Sequence, residues 1–136
     1  MKKSIFLAAL VLISTCCFAQ KKAVSTAKNL ALQETPDFDG ARAAIKGALE
    51  NEETKDKADT WYVAGLIGYK QNEHIWLMGQ MGQTVDNAVK GAAVVESINY
   101  WKVADSLAMV PTYDKKGNPK DDLRTRKNIA GRALVC

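Results

Sequence analysis

Residues 60–70 read Thr60-Trp61-Tyr62-Val63-Ala64-Gly65-Leu66-Ile67-Gly68-Tyr69-Lys70, a run with almost no polar face. As a helix it is apolar all round and has to be packed on several sides. Gly65 and Gly68 each cost roughly 1 kcal/mol relative to alanine in a helix interior. The spacing therefore predicts close approach of a neighbouring helix at these two glycines. A strand competes for so β-prone a run, but two glycines weaken a strand as well. The helical reading prevails because the segments on either side have helical spacing.

Upstream, Ala23, Ala27, Leu30 and Ala31 recur at helical spacing from Lys22 to Glu34, and Pro36 stops the pattern. Asp37 or Asp39 then caps a second helix, with Phe38, Ala41, Ile45, Ala48 and Leu49 along one stripe up to about Glu50. Asn51 to Asp59 reads as a polar, charged connection. Downstream, residues 71–86 mix His74, Trp76, Met78 and Met81 with glycines and glutamines and show no clear period. Helical spacing returns from Asn87 to Ala108 through Ala88, Ala92, Val95, Ser97, Ile98, Trp101, Ala104 and Leu107, and Pro111 closes it. Asp114-Lys115-Lys116-Gly117-Asn118-Pro119 is a cluster of turn formers. A last helix is expected from about Asp121, carrying Leu123, Ile129, Ala130, Ala133 and Leu134.

Two of these helices share a spacing. Phe38-x2-Ala41-x3-Ile45-x2-Ala48 resembles the second helix of a tetratricopeptide repeat, and Ser97-x3-Trp101-x2-Ala104 repeats it, with Pro111 in the following turn. Between them, Trp61-x2-Ala64-Gly65-x2-Gly68 resembles the W-x2-L-G-x2-Y first helix of that family. Tyr69 falls one position late, and about twenty extra residues separate Tyr69 from Ser97 relative to a standard 34-residue repeat. The resemblance covers roughly residues 22–111, and the chain is also similar to exported tetratricopeptide proteins of Bacteroidetes-type bacteria. It implies an all-α fold of antiparallel helix-turn-helix repeats, a short α-solenoid of about two repeats plus an incomplete one. It also implies that Phe38, Ala41, Ile45, Ala48, Trp61, Ala64, Gly65, Gly68, Ser97, Trp101 and Ala104 form the repeat core. Tyr62, Leu66 and Tyr69 fall on the face that such domains commonly turn toward a partner. The lysines and asparagines of relatives that clamp a C-terminal carboxylate are missing from that face, so an apolar or helical peptide is the expected partner.

The chain has 136 residues, enough for one small domain. Met1-Lys2-Lys3, the apolar run Ile5 to Ile13 and the small-x-small exit Cys17-Phe18-Ala19 have the three parts of a signal peptide, assigned to residues 1–19. The run is too short to span a bilayer. Ile13-Ser14-Thr15-Cys16 resembles a lipobox, which leaves a lipid anchor at Cys16 as the alternative. The expected location is periplasmic or secreted, with a membrane-tethered lipoprotein as the second reading. Removing Lys2 and Lys3 lowers the formal charge from +4 to +2, a balance that does not indicate nucleic-acid binding. Residues 20–113 carry 10 basic and 12 acidic side chains, and residues 114–136 carry 7 and 3. The expected organisation is a repeat domain over 20–113 with an insertion around 71–86, then a linker and incomplete repeat over 114–136.

No constellation for catalysis stands out. His74, the lone histidine, has no second histidine or cysteine near it for zinc or haem and reads as an exposed loop residue. Asp37-Phe38-Asp39-Gly40 lacks the later acidic ligands of a calcium loop, since Ala48 stands where the glutamate is needed, and capping explains both aspartates. No nucleophile elbow or phosphate-binding glycine loop is present. The resulting expectation is a non-catalytic scaffold for another protein or peptide, with no cofactor or metal. The alternatives are an N-terminal fragment of a longer repeat protein, and an exported enzyme using loop carboxylates in 71–86. The apolar ending Leu134-Val135-Cys136 suggests self-association through 121–136.

Overall fold

The computed structural model describes residues 19–109, 113 and 115–118. The expected signal segment up to residue 18 and the expected helix 121–136 lie outside the described residues. Within them the chain is all-α: helix α1 covers residues 19–32, α2 Phe38–Glu50, α3 Ala58–Gln80 and α4 Asn87–Ala108. No strand ladder occurs among the described residues.

Each helix starts and stops for a local reason. Asp37 caps α2 by accepting a hydrogen bond from the Gly40 amide at 2.8 Å, as the sequence predicts. Asp86 caps α4 by accepting from the amides of Ala88 at 2.8 Å and Val89 at 3.2 Å. The connection between α2 and α3 is more ordered than its polar sequence suggests. Thr54 is buried there, and its hydroxyl donates to the Ala48 carbonyl at 2.6 Å, satisfying one of the orphan acceptors at the end of α2. At the other end of α3, Gly82 takes φ +79°, and the Gln83 amide reaches back to the Met78 carbonyl at 3.1 Å. This left-handed glycine ends the helix.

The structure extends one expectation and alters two others. Helix α3 does not stop near Lys70 but continues to Gln80, through most of the segment expected as an insertion. Gln71, His74, Ile75 and Met78 are half-buried at helical spacing, so this period is carried largely by residues that a hydrophobic pattern does not register. His74 accordingly sits on a helix, half-buried, with its ring 5.9 Å from that of Phe38. On α4 the buried stripe is Ala93, Ser97, Trp101, Ala104 and Ala108, while Ala92 and Val95 are exposed.

The core lies around α3. Thr60, Tyr62, Val63, Ala64, Gly65, Leu66, Ile67 and Gly68 are all buried, which is the all-round packing expected of that run. Helix α4 is its closest neighbour and approaches where the glycines are. A methyl group at Gly65 would lie 2.3 Å from Cδ1 of Trp101, and one at Gly68 2.5 Å from the Ala93 carbonyl oxygen. Two hydrogen bonds cross the same contact. Ser97 Oγ donates to the Gly65 carbonyl at 2.7 Å, and Trp101 Nε1 donates to the Tyr62 carbonyl at 3.0 Å. Both buried side-chain donors are satisfied by helix backbone that the absent side chains of the glycines leave accessible. On the other side of α3, Ala27 and Ala31 of α1 and Ala41 and Ile45 of α2 complete the core.

Candidate functional site

Two of the three residues expected to face a partner are buried. Tyr62 and Leu66 are only 4% and 5% exposed, and Tyr69 is half-buried. For the two tyrosines the reason is the aromatic stack on Trp101: the Tyr62 ring lies 6.0 Å from it with planes 17° apart, and the Tyr69 ring lies 5.4 Å away. Two of the three residues of the face expected from sequence are therefore interior, and Tyr69 lies at its margin. The expected repeat core fares differently. Ala41, Ile45, Ala48, Ala64, Gly65, Gly68, Ser97, Trp101 and Ala104 are buried, while Phe38 and Trp61 are half-buried at the margin. Trp61 donates its indole N–H to the Lys55 carbonyl and packs its ring 5.9 Å from Tyr100.

An accessible recess lies between α2 and α4, with α3 as its floor. One part encloses about 360 Å³ and has an apolar lining from Ile45, Leu49, Ala64, Ile67 and Tyr100, with Lys46 and Glu50 at its lip. A second, more open part of about 500 Å³ is lined by Asp39, Gln71, Val89, Ala92 and Ala93. The two parts share Arg42 and Glu96, which meet across the groove.

That meeting is a forked ion pair. Arg42 Nε donates to both Glu96 oxygens at 3.0 and 3.1 Å, and Nη2 donates to Oε2 at 2.6 Å. Nη2 also donates to Gln71 Oε1. One guanidinium thus joins α2, α3 and α4, in the planar geometry that arginine and carboxylate favour. Asp39 stands 3.6 Å from Nη1, but its side chain is fully exposed and contributes little. Arg42 is held above the ordinary arginine pKa, first by the hydrogen bond to Glu96 and then by the charges of Glu96 and Asp39, against the opposing effect of partial burial.

Arg42, Gln71 and Glu96 did not stand out in the sequence. The signal that finds them is the shared spacing: aligning Ala41 with Ser97 places Arg42 just after the buried position and Glu96 just before it. The two charges thus fall on opposite flanks of matching buried positions, and across the groove these flanks face each other. Among the described residues no three His, Cys, Asp or Glu side chains come together, and no helix is long and apolar enough to cross a membrane. Compared with family models, curated proteins and solved structures, the chain matches none.

Proposed function

We propose that this chain is an exported, non-catalytic helical-repeat protein that holds an apolar, helix-forming peptide of a partner protein in the groove between α2 and α4. The observation that supports the reading is the spacing that α2 and α4 share. Ala41, Ile45 and Ala48 of α2 and Ser97, Trp101 and Ala104 of α4 share one spacing, and all six are buried. Pairs α1–α2 and α3–α4 stacked in this way leave a groove between successive second helices. Its apolar floor and charged lip suit the apolar stripe of a short helix. The first 19 residues support export, and the tetratricopeptide resemblance supports a scaffold role, since such repeats work by contact and not by chemistry.

Selection of displayed helical peptides on the full chain tests this, followed by affinity measurements with Lys46→Trp. Lys46 is exposed at the groove lip, so a bulky ring there fills the recess without disturbing the core. Peptide binding is expected to fall at least about tenfold, the scale set by 1.4 kcal/mol, with an unchanged thermal midpoint. Unchanged affinity places the binding surface elsewhere.

A further inference from the structure

We propose that residues 121–136 fold back as a helix and dock on the flank of α3 and α4 that faces away from the groove. On α4, Glu96 and Tyr100 line the groove, and at 3.6 residues per turn Gly91, Val94, Ile98 and Asp105 fall on the opposite side. On α3, the residues opposite Ala64 and Gln71 are Tyr62, Leu66 and Tyr69. The face assigned to a partner by resemblance is thus continuous with an apolar side of α4. Tyr62 and Leu66 are buried at its base, while Tyr69, Val94 and Ile98 are half-buried. Met109 at one end and Trp76 at the other are 59% and 54% exposed.

Chain direction, length and charge match the segment to this flank. The Trp101–Tyr62 and Ser97–Gly65 bonds make α4 antiparallel to α3, and the connection after Met109 carries Pro111 and the turn formers 114–119, which reverse the chain. A helix that follows such a reversal returns as an antiparallel neighbour of α4. Residues 121–134 as a helix span about 21 Å, the length of α4 from Asp105 back to Gly91. Leu123, Ala130 and Leu134 fall on one line at helical spacing. Arg124, Arg126, Lys127 and Arg132 outweigh Asp121 and Asp122, and Asp105 places a carboxylate at the end of the flank that the segment reaches first. Docking along Leu123, Ala130 and Leu134 leaves Ile129 and Ala133 to one side, as the apolar surface through which copies associate. The contact lies across the fold from the groove and holds or fails independently of the peptide-binding reading.

Disulfide trapping with the natural Cys136 tests this in the full exported chain. The antiparallel return brings Cys136 to the N-terminal half of α4, where a side chain at Gly91 meets nothing within 4 Å. Gly91→Cys is therefore expected to form an intramolecular disulfide with Cys136 under mild oxidation, seen as a mobility shift on a non-reducing gel at low protein concentration. Lys46→Cys, on the groove lip, is expected to form none. Hydrogen exchange gives a second readout. Amides of 123–134 are expected to exchange at least about tenfold more slowly than an unstructured chain, and Ile98→Asp is expected to abolish that protection while α2 keeps its own. Should Ile98→Asp fail to fold, the disulfide decides. Pairing of Cys136 with position 46, equal pairing with both positions, pairing only between copies, or no pairing at all overturns the proposal.

Discussion

A single methyl group separates the two kinds of glycine in these helices. At Gly65 it meets the Trp101 ring and at Gly68 the Ala93 carbonyl, whereas at Gly91 it meets nothing within 4 Å. Gly65→Ala and Gly68→Ala are therefore expected to destabilise by about 1–3 kcal/mol, as overpacked cores do. Gly91→Ala is expected to stabilise by about 0.5–1 kcal/mol through helix propensity alone. Urea denaturation of the three variants checks this, and a common sign for all three contradicts it. The tryptophans divide in the same way. Trp101 is fully buried and Trp61 half-buried, so Trp101→Ala is expected to cost about 3–5 kcal/mol and Trp61→Ala distinctly less. Sequence spacing treats the two rings alike. It cannot see that one sits between α3 and α4 while the other lies at the rim beside Tyr100.

At the scale of the helices, the Arg42 pair gives a pH signature. The folded-state pKa of Arg42 is raised above the ordinary value, so what Arg42 contributes is fully present below that value and is lost only as pH rises through the raised one. The stability difference between wild type and Arg42→Ala is therefore expected to stay constant from neutrality to about pH 10 in urea titrations. A difference that shrinks over that range contradicts the charge state assigned here.

Helix α2 was legible in the sequence because Pro36, the Asp37 cap and a period of 3.6 agree there, α4 because the period returns ahead of Pro111, and the apolar part of α3 because its glycines and helical neighbours argue against a strand. The distal part of α3 was not, since its buried face is made of Gln71, His74, Ile75 and Met78 rather than a run of large apolar residues. The groove was harder still to see. Its defining contact joins residues 42 and 96, and only the register between two helices brings them together. Tyr62, Leu66 and Tyr69 were assigned to the partner face by resemblance. The aromatic stack on Trp101 takes Tyr62 into the core and holds Tyr69 at its margin, and Leu66 is buried with the rest of the apolar run.

For the whole molecule, two expectations concern the two ends of the chain. The mature chain is expected to begin at Gln20, which N-terminal sequencing of the exported protein checks, and a blocked, acylated Cys16 contradicts it. Residues 121–136 are expected to promote self-association, so light scattering should find larger species for 20–136 than for 20–113. Equal monomers contradict that. The binding reading itself is tested most directly inside the exporting cell by a photocrosslinking amino acid placed at Lys46, on the groove lip, or at Val103, on the exposed side of α4. A groove that holds a partner gives a discrete crosslinked species from position 46 and none from position 103. Crosslinking from 103 alone, or from neither position, contradicts it.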